Sequence, residues 1–294
     1  MLWLVLIFAL LADPVAAQYI VQRDALLLRD YGAVRFDPAD EAEGWAALAA
    51  LEREASSSIP ERYRVDGGRI PDEAVSCDMR AVFAGAALAR QAPDREAYAQ
   101  AHAVWVRLYG EAQAELGEPV PAYSPDHGNL IADRVRRDQF WRGRHPAAAD
   151  APAFTRQFLA RMRMTAACYV DADNMALLEA LWDEGPDVLL TALYRESDTG
   201  WLLVQHAPLA FQDAVLEAMT RAGLPEAFGA PGAFLEDRVA VRQGGPQRFG
   251  TQGRCDAGVW SPSPVEDPEG LDARRESLGL APMAEHAVRM SARC

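Results

Sequence analysis

Between Asp94 and Leu116 the residues Tyr98, Ala101, Trp105, Leu108 and Ala112 recur three or four positions apart, which places all five on one side of a helix. Gly117 is the expected stop. The same period recurs along most of the chain, so the dominant constraint is helix packed on helix. Asp37-Pro38 reads as N-cap and first residue of a helix carrying Trp45, Leu48 and Leu51, which Ser56-Ser57-Ser58 ends. Glu73 to Arg90 predicts a partner that makes a hairpin with Asp94 to Leu116. Further helices are expected at Asn129 to Trp141, Ala153 to Tyr169, Asp173 to Glu184, Gly200 to His206, Phe211 to Ala222 and Gly232 to Gln243, with Gly185-Pro186 a stop after Trp182. One stretch alternates instead. Arg248 to Arg254 and Val259 to Ser261 flank Cys255-Asp256-Ala257-Gly258, which reads as a β-hairpin with Gly in the turn. Asp267-Pro268 starts a short helix through Ser277 that Gly279 ends, and Pro282 starts a last one. The expected fold is mainly α, a helical domain with one small β-hairpin near the C-terminus.

Leu2 to Ala12 is an apolar run of signal-peptide length, too short for a comfortable membrane span of about 20 residues. Val15-Ala16-Ala17 predicts cleavage before Gln18. No later segment has the length of an apolar span, so the mature chain is expected not to span a membrane, and its compartment to be periplasmic or secreted. Pro119, Pro121 and Pro125 mark the expected boundary after this leader. The organisation is then a signal peptide at 1–17, an N-terminal helical region at 18–125 and a motif-bearing helical domain with the hairpin at 126–294. Export gives the four cysteines a meaning. None forms a C-x-x-C, and an even number in an oxidising compartment suggests two disulfides. Cys77 with Cys168 and Cys255 with Cys294 is the favoured pairing, because each bridge stays within one half of the chain.

The balance of 29 basic and 43 acidic residues gives −14 and argues against nucleic acid, whose phosphates call for a basic face. The acidity is uneven: from Asp237 to Arg275 six arginines balance six acids, which leaves room for a small anionic group.

In the second half, Asp138-Gln139 with Arg142, Asp171 with Asn174, the Trp201 to Ala207 run ending in Gln205-His206-Ala207, Phe211-Gln212, Leu235 to Val239, Gly244 with Gln247, and Phe249-Gly250-Thr251-Gln252 follow in order. They continue through Pro264, Glu266-Asp267 and Asp272 to Arg275, to Gly279-Leu280. This set resembles a bacterial family of unknown function whose members carry Q-H-A-D and Y-G-T-Q runs, over roughly residues 133–288. The resemblance implies no established activity. Pro208 stands where that family has Asp, and Phe249 where it has Tyr, so a role for that carboxylate or phenol is absent here.

Among these residues His206 is the candidate acid or base, since an imidazole titrates near neutrality and this one closes an apolar helical run that Pro208 stops. Asp237 is the candidate to orient it. Arg238 suits bidentate binding of an anion. Gln205, Gln247, Thr251 and Gln252 offer neutral groups for positioning a polar ligand; strand alternation puts Gln247, Phe249 and Thr251 on one face and Gln252 on the other. Glu236 to Arg238 read equally as an internal salt bridge to the hairpin. Asp171 and Asp173 read as N-caps rather than paired catalytic carboxylates. Asp126-His127 lacks a second His at metal spacing, His102, His145 and His286 read as surface residues, and no metal or cofactor is expected. No nucleophile elbow or phosphate-binding glycine loop is present.

Two functions follow. One is an exported enzyme with hydrolase-like acid/base chemistry at His206 on a small polar molecule or envelope component. The other is a noncatalytic helical binding or structural module of the cell envelope, in which the same polar residues dock the hairpin.

Overall fold

The computed structural model describes residues 23–37, 41–57, 76–119, 127–143, 150–194, 199–223 and 229–294. The leader expected at 1–17, Asp126, the side chain of His127 and His145 lie outside the described residues. The chain divides into two compact units, one formed by Met1–Gly117 with Phe140–Val170, the other by Glu118–Gln139 with Asp171–Cys294. Each has its own hydrophobic core.

The first unit holds α1 (Tyr31–Phe36), α2 (Glu41–Ser57), α3 (Cys77–Gln91) and α4 (Arg95–Leu116). Side-chain caps set their starts: Asp30 accepts from the Ala33 N–H, Ser76 from Met79 and Asp94 from Ala97. Gly117 ends α4 as its sequence position implies. The Trp105 indole is fully buried and donates to the Leu27 carbonyl at 2.7 Å, which ties the stripe of α4 to the segment before α1. Tyr31, Tyr98 and Phe158 fill the same core. Asp37 closes α1 as its C-cap, while the next described helix starts at Glu41. The sequence reading has no counterpart for α1.

The longest helix, α6 (Ala153–Glu184), follows α5 (His127–Arg142), and the chain passes between the units inside both. The expected break between Tyr169 and Asp173 is absent, which corrects the N-cap reading of Asp171 and Asp173. No proline or glycine interrupts this stretch, and Asp171, Asn174, Leu178 and Leu181 continue one inward stripe. Packing therefore outweighs the modest intrinsic preference of Asp for a helix end.

In the second unit α7 (Pro186–Tyr194), α8 (Trp201–His206), α9 (Leu209–Arg221) and α10 (Gly229–Arg242) surround a core of Leu177, Leu181, Leu189, Leu193, Val204, Val215 and Leu235. Strands β1 (Gly253–Asp256) and β2 (Val259–Pro262) pair antiparallel, Cys255 opposite Trp260, around a two-residue turn. Ala257 and Gly258 both have positive φ there, 47° and 83°, as a hairpin turn of this twist demands. Then come α11 (Leu271–Ser277) and α12 (Met283–Ser291). Residues 248–252 are not strand, so the expected alternation of Gln247, Thr251 and Gln252 does not apply. Among the described residues no helix is long and apolar enough to cross a membrane.

Both expected disulfides are present, Cys77–Cys168 and Cys255–Cys294. The first closes a sequence separation of 91 residues. Replacing Cys77 and Cys168 together by Ser is expected to lower the unfolding free energy by about 3–5 kcal/mol, measured by urea denaturation under oxidising conditions.

Candidate functional site

Helix α8 is only two turns long, and its Leu203 and Val204 are buried in the core, which fixes its direction. Ala207 caps it in extended geometry and Pro208 opens α9, so the chain turns immediately after His206. Gln212, fully buried on α9, donates from Nε2 to the carbonyls of Gln205 and Ala207 at 3.2 and 2.7 Å. The backbone on both sides of His206 is thereby held by one amide.

The imidazole pairs with Asp138: Nδ1 lies 3.0 Å from Oδ1. Asp138 sits on the inward stripe of α5 that also carries Ile131 and Val135, its side chain 1% exposed. Its Oδ2 accepts from Gln139 Nε2 at 2.7 Å. The position of orienting carboxylate, expected for Asp237, belongs to Asp138. Asp171 joins them from the middle of α6. One donor atom from each of Asp138, Asp171 and His206 lies within 4.8 Å of the other two, a grouping able to hold a metal ion. The ligands come from three separate segments, so no short spacing motif announces them.

Two amides surround this centre in sequence. Asn174, one turn beyond Asp171, is 3% exposed, and neither amide atom has a hydrogen-bond partner among the described residues. Gln205, next to His206, is buried and its Nε2 is likewise unpartnered. Arg134 precedes Asp138 by one turn. Burial lowers its guanidinium pKa, with Asp173 and Asp133 acting in the opposite direction.

Asp237 has a different task. It is fully buried on α10, and its Oδ1 accepts the Arg248 and Phe249 N–H groups at 2.7 and 2.9 Å while Oδ2 accepts that of Thr251 at 2.8 Å. Gly250 takes the positive φ of 67° that lets the loop close round this carboxylate. Gln247, also fully buried, donates to the carbonyls of Gln252 and Ser263 and accepts the Gln252 N–H, each at 2.8 Å. Gln252 reaches Thr251 Oγ1 at 3.1 Å and meets Arg238 Nη1 at 3.5 Å. Arg275, 1% exposed, donates to the carbonyls of Phe249 and Ala281. Arg274 pairs with Asp267 at 2.8 Å. Glu236 faces Arg248 at 3.5 Å, and burial raises its pKa more than that arginine lowers it. The residues expected to bind ligand here form a polar network that folds residues 247–252 onto α10.

The surface reading of His286 is corrected. It is 7% exposed, packed against Trp260 and Phe234, because α12 turns it into the hairpin. Burial, then Arg275, Arg289 and Arg293, lower its pKa. His102, half-buried, contacts the Leu28 carbonyl at 3.1 Å.

The fold and this centre define a mainly helical protein in which two carboxylates and an imidazole converge. Residues 160–292 match the profile of a family described as "Family of unknown function (DUF6624)". The matched stretch carries Asp171, Asn174, Gln205, His206 and Asp237, and leaves Asp138 outside. No curated protein and no solved structure matches the chain.

Asp237→Ala strands three backbone N–H groups and is expected to cost about 3 kcal/mol or more, read from the urea midpoint; a change under about 1 kcal/mol contradicts this role. For His286 the folded pKa lies below the unfolded one, so the unfolded chain takes the proton first. Stability should fall as pH drops from about 6.5 toward the folded value, and His286→Phe should flatten that part of a melting-temperature profile.

Proposed function

We propose that the protein is an exported enzyme with hydrolase-like chemistry on a small polar molecule or envelope component, centred on Asp138, Asp171 and His206. The observation that carries this reading is the convergence of these three side chains from α5, α6 and α8, with one donor atom from each within 4.8 Å of the others. An Nδ1–H donated to buried Asp138 fixes the neutral tautomer in which Nε2 holds the lone pair. Nε2 then takes a proton from water, the resulting hydroxide adds to the substrate's electrophilic atom, and the imidazolium returns the proton to the leaving group. Asp171 places a second carboxylate beside the reacting water. Two disulfides support an oxidising compartment.

The noncatalytic reading is favoured by a separate observation, the saturated hydrogen bonding of Asp237 and Gln247. In our proposal that network is the scaffold, and catalysis lies elsewhere in the second unit. The two are separated by turnover on a panel of amides, esters, glycosides and phosphoesters. Asp138→Asn and His206→Ala should each lower turnover about 10²-fold or more with unchanged circular dichroism. Turnover at the wild-type level in both variants excludes this centre.

A further inference from the structure

We propose that Asp138, Asp171 and His206 bind one first-row divalent cation of the Mn²⁺ or Zn²⁺ kind. This deepens the proposed function, since it rests on these three side chains being the working centre, and it changes the part His206 plays.

The spacing is the first argument. Donor atoms about 2.1 Å from a common ion and adjacent in its coordination shell stand about 3.0 Å apart when octahedral, and further apart when opposite. The 3.0 Å between His206 Nδ1 and Asp138 Oδ1, and the 4.8 Å limit over all three residues, fall within that range. Two carboxylates held this close repel, and a dication between them removes the repulsion.

Asn174 supplies an independent argument. It shares the face of α6 with Asp171, three residues on, and is 3% exposed with both amide atoms unpartnered among the described residues. Gln205 Nε2, 7% exposed at the residue level and adjacent in sequence to His206, is in the same condition. Buried amides normally find partners. Water bound to a cation at this centre provides them, as oxygen to the Gln205 Nε2–H and as either donor or acceptor to Asn174, and such outer contacts orient the ligands and bound water.

The donor set decides the kind of ion. An imidazole with two carboxylates favours a first-row transition ion or zinc over magnesium or calcium, which prefer oxygen alone. Three protein ligands leave positions open, the pattern of a catalytic rather than a structural site. With the ion bound His206 is a ligand. A metal-bound water releases its proton to solvent or buffer, and the hydroxide that remains is the nucleophile.

The test uses the full chain stripped with EDTA and dialysed, titrated calorimetrically with MnCl₂, ZnCl₂ and MgCl₂ separately, with Mn²⁺ binding also read by electron paramagnetic resonance. One equivalent of Mn²⁺ or Zn²⁺ per chain is expected, bound more tightly than Mg²⁺. Asp171→Asn and His206→Gln should each weaken binding at least 10-fold, and Asn174→Ala about 10-fold. The melting temperature of each metal-free variant serves as the folding control. Absence of Mn²⁺ and Zn²⁺ binding, or equal binding by wild type and the Asp171 and His206 variants, overturns the site. Turnover that survives EDTA yet is lost in His206→Ala overturns the cation and leaves hydrolysis standing. Stoichiometric binding abolished by both ligand variants, with no turnover on the substrate panel, supports the cation and counts against hydrolysis.

Discussion

A buried carboxylate with no compensating donors is costly, and Asp237 meets that cost with three backbone N–H groups from one short loop. The arrangement works in both directions. The loop has no regular secondary structure of its own, so its amides need acceptors, and a carboxylate supplies them from α10. Gln247 repeats the device with an amide, bridging Gln252 and Ser263. Arg275 closes the other side through the Phe249 carbonyl. Hairpin, α11 and α12 follow from this packing of loop on helix. The C-terminal part of the chain is thus organised by hydrogen bonds at least as much as by apolar burial.

The centre at His206 is built on the contrary principle. Asp138, Asp171 and Asn174 occupy inward positions on helices whose neighbouring positions are apolar, and two buried amides there lack partners. A network that satisfies itself is a good scaffold, whereas one that leaves polar atoms unmet is prepared for something to bind. The two regions divide the motif residues between them on this basis.

Much of the architecture was legible in the chain. The stripe of α4, the stops at Gly117 and Gly185, the hairpin turn and both disulfides rest on local signals: periodicity, glycine punctuation and cysteine parity. The failures have a common origin in long-range packing. Asp171 and Asp173 carry a strong local preference for a helix start, and only continued burial of Asn174, Leu178 and Leu181 shows that α6 runs through. Reading one helix instead of two would have put Asp171 on an inward face. Asp138 offered the same clue beside Ile131 and Val135. The partner of His206 could not be read, because Asp138 stands 68 residues away in sequence and nothing local links them. Residues 248–252 look like a strand by composition, yet Asp237 draws their N–H groups to itself.

Gln212 gives the centre a property of its own. Its single amide holds the carbonyls on either side of His206, so the conformational freedom of that backbone is removed when the chain folds. A ligand arriving at the imidazole therefore meets a group already in place, and its affinity is not reduced by the entropy of ordering it.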